Sequence, residues 1–129
     1  MGYRSEVVLA VSKKMMPHFL GHLSQCDDAA YKFVFMKTDK KIEDYDGEGT
    51  TVFFWDGIKW YGDHFPGVKA ISDFVGMKTD YLKSICAEDI EDDYEEHFRF
   101  VRMGEDNDDV EVGGYLCDYE IGVRRSLCF

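Results

Sequence analysis

The sequence predicts an α+β fold: a mostly antiparallel sheet of about five strands with two or three helices packed on one face. Short segments of β-branched and aromatic residues alternate with helix-like segments in the order β-α-β-β-α-(α)-β-β. The chain has 129 residues, of which 45% are apolar and 16% aromatic. That is enough for a single domain with a packed core. The order of the early elements is compatible with a ferredoxin-like split βαβ arrangement.

The first half of the chain predicts two strands around one helix. Residues 4–11 are β-branched and apolar, which is typical of a strand. A helix is expected from about 14 to 25, with Pro17 in its first turn, where proline is tolerated. Aromatic residues alternate with other side chains over 30–37, which predicts the second strand. The polar residues 38–50 predict a loop or a wide hairpin turn.

Residues 51–61 contain Asp56-Gly57 between two groups of strand-forming residues. This pattern favours a type I′ β-hairpin, which requires a positive φ at Gly57. In the alternative, the strand ends at Trp55, and residues 57–61 form a turn that enters the next helix.

The second half predicts two helices and two strands. Pro66 is typical of a first helical position, and Thr79 is a suitable cap for a second, short helix. Residues 97–103 predict a strand, residues 104–114 an acidic turn, and the alternating residues 115–124 a long final strand. One sheet–helix interface is expected to bury the core residues Val7, Leu9, Phe33, Phe35, Phe54, Ile71, Phe74, Phe100, Tyr119 and Ile121.

Charge is unevenly distributed along the chain. The sequence has 26 acids and 15 lysines and arginines, a net charge of −11. Residues 88–120, here called the acidic region, hold 14 acids and only two bases, Arg99 and Arg102, so the remainder is nearly neutral. Such a chain repels phosphates, which argues against direct nucleic-acid binding. The acidic region is instead expected to attract a basic protein surface.

The acids at 88–111 are therefore the candidate partner-binding residues. They are Glu88, Asp89, Glu91, Asp92, Asp93, Glu95, Glu96, Glu105, Asp106, Asp108, Asp109 and Glu111. The alternative is a solvated face that keeps the protein soluble. No apolar run is long enough to span a membrane, so no membrane partner is expected.

Metal and cofactor motifs are not matched. His18 and His22 are four residues apart, but a zinc-protease motif requires Glu after the first histidine, where Phe19 stands. Residues 106–111 lack the glycine and final glutamate spacing of a calcium-binding loop. No nucleophile motif or phosphate-binding loop is present. The sequence therefore predicts a non-enzymatic protein without metal or cofactor.

The aromatic residues offer a second possible site. Trp55, Trp60 and Tyr61 could stack against a small ligand or a nucleotide. Asp56 and Asp63, beside them, are the best candidates for acid–base chemistry. Because no basic residues frame this set, a role in the core is favoured.

Three parts of the chain carry a resemblance to known proteins: residues 2–7 (GYRSEV), 54–61 (FWDGIKWY) with 66–71 (PGVKAI), and 100–109 (FVRMGEDNDD). Together they resemble a group of small, uncharacterised proteins from tailed bacteriophages. Members typically begin Met-Gly-Tyr-Arg-Ser-Asp-Val and carry Arg-Ile-Gly-Glu-Asp-x-Asp-Asp late in the chain. Here Glu6 and Met103 replace the usual Asp and Ile, and residues 77–97 look like an insertion.

The resemblance implies a phage origin and expression in the bacterial cytoplasm, and it carries no activity or catalytic residues. Combined with the charge distribution, it predicts a phage accessory protein that binds and inhibits a host protein, such as a defence or nucleic-acid-binding complex. The alternatives are a small-ligand or nucleotide binder built on the aromatic residues, and a phage housekeeping protein with no inhibitory role.

Overall fold

Five antiparallel strands and four α-helices form most of the structure. The computed structural model describes residues 4–60, 65–89, 94–105, 109–117, 121–123 and 127–128. The sheet strands are β1 (Ser5–Val11), β2 (Lys40–Ile42), β3 (Thr51–Ile58), β4 (Phe98–Gly104) and β5 (Val110–Gly114). The helices are α1 (Met16–Ser24), α2 (Asp28–Phe35), α3 (Pro66–Val75) and α4 (Asp80–Asp89). A 3₁₀ turn (Tyr94–His97) precedes β4, and β6 (Gly122–Val123) pairs with β7 (Leu127–Cys128).

The sheet has the strand order β2-β3-β1-β4-β5, and all of its neighbouring strands are antiparallel. The predicted α+β class with a five-stranded sheet is therefore confirmed. Strand β3 lies between β1 and β2, which are joined through α1 and α2, as in a split βαβ unit. Two helices occupy this connection and β5 extends the sheet, so the ferredoxin-like assignment remains a prediction.

Strand β1 occupies the centre of the sheet because it is apolar on both faces. Its alternate residues point to opposite sides. Val7, Leu9 and Val11 belong to one core cluster, whereas Val8 and Ala10 belong to a second. All five are fully buried.

The helices pack on the face of Val7 and Leu9 and form the larger core with the aromatic residues of the sheet. Phe19 of α1 contacts Phe74 of α3, with ring centroids 4.7 Å apart. Phe33 of α2 stacks on Trp55 of β3 at 5.4 Å. Among the residues described, no helix is both long enough and apolar enough to span a bilayer.

The opposite face of the sheet has its own small core. Val8, Ala10, Val52 and Val101 pack there with Ile121, which lies beyond β5. Residues Tyr45, Leu116 and Cys117 and the half-buried Phe54 pack against this cluster. The expectation of one sheet–helix interface is therefore wrong for Phe54 and Ile121, and Tyr119 lies outside the described residues. The remaining predicted core residues lie in or against the helix-side core.

The predicted second strand at 30–37 is wrong, because these residues form helix α2. Asp27 caps the helix, since its carboxylate accepts a hydrogen bond from the backbone N–H two residues later at 2.9 Å. The buried residues Ala30, Phe33 and Val34 have helical spacing. The polar segment that follows contains β2 and a wide connection to β3, which is one of the two predicted alternatives.

The expected hairpin at Asp56-Gly57 does not form, and the strand does not end at Trp55 either. Strand β3 continues to Ile58 and pairs with β1 throughout. Trp55 pairs with Val7 and Ile58 with Ser5, so β3 contains one extra residue at this point. Gly57 has the predicted positive φ, at 65°, because it lies in this β-bulge.

The predicted helices near 14–25, from Pro66 and after Thr79 are confirmed by α1, α3 and α4. The predicted acidic turn at 104–114 is corrected, because strand β5 forms within it. The predicted long strand at 115–124 is interrupted by a turn at Leu116 and Cys117, and only Gly122–Val123 form a strand, while residues 118–120 and 124 lie outside the described residues. Gly114 has φ 77°, and a Cβ there would overlap the carbonyl oxygen of Phe98, so glycine allows this close approach.

We expect Phe100→Ala to lower the free energy of unfolding by roughly 3–5 kcal/mol, because the side chain is only 5% exposed and its loss leaves a cavity. Chemical denaturation measures this change. Met36→Ala is the control and should change stability by less than about 0.5 kcal/mol, since Met36 is 73% exposed. Equal losses for both variants would contradict the described core.

We expect Gly57→Ala to cost about 1 kcal/mol, because alanine is strained at positive φ but its Cβ meets no atom within 4 Å. Gly114→Ala should cost more than about 3 kcal/mol, since the same strain is combined with overlap against Phe98. Thermal melting of both variants tests this order. A reversed order would show that the end of β5 does not pack against β4 as described.

Candidate functional site

The predicted partner-binding acids fall into groups separated by β4. Glu95 and Glu96 precede this strand, and Glu105, Asp109 and Glu111 follow it. Seven strand residues span about 20 Å, so these two described groups of acids lie at opposite ends of β4. Glu88 and Asp89 end α4, and their side chains are not described. Outside the described residues lie Glu91, Asp92, Asp93, Asp106 and Asp108.

Arg102 binds two of the predicted partner-binding acids. The arginine is 8% exposed, and its guanidinium forms ion pairs with Asp109 at 2.5 Å and Glu111 at 2.8 Å. It also donates to the Ser5 hydroxyl at 3.0 Å. The hydrogen bond to Asp109 is the main reason why the pKa of Arg102 is raised above its ordinary value. Asp109 and Glu111 are therefore structural counter-charges, a role that the sequence interpretation missed.

Arg99, the other base of the acidic region, is also engaged within the fold. Its half-buried guanidinium donates to the carbonyl oxygens of Ile121 at 3.0 Å and Gly114 at 2.8 Å. These bonds attach the chain beyond β5 to the sheet. Glu96 is exposed and takes part in no ion pair within the described segments. Glu105 is exposed and accepts a hydrogen bond from the backbone N–H of Arg4 at 3.0 Å.

An open cleft of about 620 Å³ lies beside Glu96. It is lined by residues of the β1–α1 connection, the β2–β3 connection and the 3₁₀ turn, together with Leu116. Its volume is within the usual range for small-ligand sites. Lys13 and Lys14 face a lining that also includes Asp46 and Glu48, so the cleft presents both signs of charge.

Ser12 and His97 form a side-chain pair in this cleft. The Ser12 Oγ lies 3.2 Å from His97 Nδ1 and accepts a hydrogen bond from the backbone N–H of Met15 at 3.1 Å. The buried Nε2 of His97 has no hydrogen-bond partner in the described structure. A serine nucleophile usually needs a base that a third group orients. The described residues provide no such group for His97.

Asp46 organises the loop on the far side of the cleft. Its carboxylate accepts hydrogen bonds from the Thr50 hydroxyl at 2.6 Å and from the N–H groups of Glu48 and Thr50. Burial opposes ionisation, but these hydrogen bonds lower the pKa of Asp46 below its ordinary value. Asp46 therefore stabilises the loop as a carboxylate.

The carboxyl groups of Glu6 and Asp56 lie close together where β1 pairs with β3. Burial raises the pKa of Glu6, and the charge of Asp56 and a hydrogen bond to it raise it further. Asp56 also donates its backbone N–H to Asp39 at 2.6 Å. The sequence interpretation paired Asp56 with Asp63, which lies outside the described residues. The pairing of β1 with β3 brings Glu6 next to Asp56, although about fifty residues separate them in the sequence.

The predicted aromatic ligand site is not supported by the described residues. Trp55 is fully buried and donates its Nε1–H to the carbonyl oxygen of Phe33 at 3.3 Å. The half-buried Trp60 packs against Phe33 and Phe100, with ring centroids about 6 Å away. Tyr61 lies outside the described residues. Trp55 therefore belongs to the core and Trp60 packs against it, and the stacking site that includes Tyr61 stays a prediction.

The two histidines of α1, His18 and His22, are buried. His22 Nε2 lies 2.7 Å from the carbonyl oxygen of Ala70, so this nitrogen is engaged in helix packing. Across the described part of the chain, no group of three His, Cys, Asp or Glu side chains could hold a metal ion.

Comparisons with protein-family models, curated proteins and solved structures found no match. The resemblance to tailed-phage proteins therefore remains a prediction. Charge, burial and contacts are the remaining basis for assigning a function.

We expect Glu6→Gln to raise the free energy of unfolding at pH 7, because the folded state favours the protonated carboxyl that glutamine mimics. Glu6 destabilises the fold only when ionised, so the gain should vanish as the pH falls below about 4.5. Urea denaturation across a pH series measures it. A gain that is independent of pH would contradict the raised pKa.

Asp46→Asn should have the opposite effect and lower the free energy of unfolding at pH 7. The wild-type carboxylate contributes stability above its unfolded pKa near 3.8, and this contribution is lost as the pH falls through the lower folded pKa. The difference from wild type should therefore shrink in acid, in the same urea series. If the loss of stability persists at low pH, altered packing and not the charge of Asp46 is its cause.

Proposed function

We propose that the chain is a non-enzymatic phage accessory protein that binds and inhibits a host protein in the bacterial cytoplasm. It does so through the acidic region, and its target is a basic protein surface such as that of a nucleic-acid-binding or defence complex. One observation carries this proposal: both arginines of the acidic region are engaged inside the fold. Arg102 binds Asp109, Glu111 and Ser5, and Arg99 binds backbone carbonyls.

The charge excess of the acidic region supports a basic partner. The region holds 14 acids against two bases, and in the described part of the chain Arg102 binds two of these acids. We take the net negative charge to face the partner. It repels phosphate and attracts lysine- and arginine-rich surfaces.

Such a surface acts mainly through long-range attraction. Exposed ion pairs contribute only about 0.2–1 kcal/mol each, so no single acid should dominate. Complementary charge increases the rate of association, and salt screens it over about 8–10 Å. Strong salt dependence is therefore the signature of this function. Because Asp109 and Glu111 hold Arg102, the informative positions are the exposed acids Glu96 and Glu105.

The cleft supports a second candidate function, the binding of a small ligand. Its size suits a small molecule, and the buried Nε2 of His97 has no partner among the described residues. Lysines and carboxylates in one lining favour a ligand that carries both charges. This candidate is a second small-ligand alternative beside the predicted aromatic site. A housekeeping role in the phage predicts neither binding activity.

The test is capture of proteins from bacterial lysate on the immobilised chain. Glu96→Lys/Glu105→Lys should reduce capture of basic proteins at least tenfold, and added salt or double-stranded DNA should displace them from the wild type. The control Asp28→Lys/Glu43→Lys changes net charge equally but lies outside the acidic region. Both control acids form exposed pairs with neighbouring lysines, so the fold should tolerate their loss.

Stopped-flow association with a captured, purified partner then separates the mechanisms. The Glu96 and Glu105 variant should associate more slowly, with a weaker salt dependence, whereas its dissociation rate should change little. Equal binding by both double variants would contradict a role for the acidic region. If both double variants lost binding equally, the total charge of the protein and not the acidic region would determine binding.

A further inference from the structure

Strand β5 forms an open edge of the sheet in the described part of the chain, where no strand pairs with its outer side. Gly104 donates its N–H to the carbonyl oxygen of Asp109 at 2.8 Å, so these two residues are a hydrogen-bonded pair. Along β4 and β5, hydrogen-bonded pairs alternate with pairs that are not hydrogen-bonded. The backbone groups of Glu111 therefore point towards β4. Those of Val110 and Val112 point towards the open edge.

The two edges of the sheet differ in how they are protected. Strand β2 has only three residues, and two of them are Lys40 and Lys41, which is typical of an edge that resists strand addition. Strand β5 has five residues and no base. Its apolar side chains are exposed, Val110 by 36% and Val112 by 54%. The valines of β5 therefore offer a longer and more apolar edge than β2 does.

The two faces of β5 indicate the chemistry of its occupant. Val110 and Val112 lie on one face, opposite Met103 and Val101 of β4. Glu111 lies on the other face, where it binds Arg102 through Oε1 alone and its side chain stays 58% exposed. A strand added here would place alternate side chains beside the valines and beside Glu111. Apolar residues suit the first positions, and basic residues suit the second.

We propose that the open edge of β5 binds, by β-strand addition, an extended segment of the partner protein in which apolar and basic residues alternate. Backbone hydrogen bonds would supply affinity, and the alternation would supply specificity. This inference rests on the proposed function, because it takes the partner to be basic. A second copy of the chain is a poorer occupant, since each copy carries a net charge of −11.

The probe is an eight-residue peptide of alternating lysine and valine, with blocked termini and a fluorophore. Anisotropy measures its binding to the wild type, to Val112→Pro and to Val112→Thr. Proline removes the outward N–H of residue 112 without removing a β4–β5 hydrogen bond, and proline is tolerated at such edge positions. Val112→Pro should weaken binding at least tenfold, whereas Val112→Thr should change it less than threefold.

A peptide N-methylated at alternate backbone positions gives the same test without altering the protein, so a poorly folded proline variant does not prevent a result. It should bind at least tenfold more weakly than the unmodified peptide, and a glutamate–valine peptide should not bind. Equal binding of methylated and unmodified peptides would overturn strand addition. So would self-association in sedimentation that Val112→Pro abolishes, since the edge would then serve a second copy.

Lysate capture separates the two proposals. If the Glu96 and Glu105 variant loses its basic partners but Val112→Pro retains them, the edge inference is wrong and the proposed function stands. If the lysine–valine peptide binds the edge while no basic protein is captured, the strand-addition site stands and the proposed function fails.

Discussion

The burial of β1 on both faces is the constraint on which the rest of the structure depends. No polar residue lies between Val7 and Val11, so the sheet needs a cover on each side. The helices provide one cover. Ile121 and the turn containing Leu116 and Cys117 provide much of the other. The chain beyond β5 is therefore part of the domain core, and Arg99 secures it through two carbonyl oxygens.

Part of the acidic region has an internal role. An arginine that is almost fully buried needs anionic partners, and Arg102 is satisfied by Asp109 with bidentate geometry and by Oε1 of Glu111. These two acids belong to the fold, although the sequence gives no sign that separates them from their neighbours. Only contacts distinguish carboxylates that neutralise an internal charge from carboxylates that present charge to a partner.

Local signals in the sequence predict those elements whose chemistry is local. The β-branched run of β1 and the proline that begins α3 both identify their elements correctly. The interpretation fails at residues 30–37, where the alternating aromatic residues fit a strand. The residues that are buried, Ala30, Phe33 and Val34, instead have the three- and four-residue spacing of helix α2. Long-range pairing was not predictable, so the bulge at Gly57 and the Glu6–Asp56 carboxyl pair were missed.

The central position of β1 also affects how the protein is made. Its partners β3 and β4 follow it by roughly forty and ninety residues, so its contact order is high and few of its contacts are local. During synthesis, the apolar segment from Val7 to Val11 leaves the ribosome long before either neighbour exists. Until then it is an unpaired, aggregation-prone strand, and a nascent chain that stalls before β4 would be a substrate for chaperones.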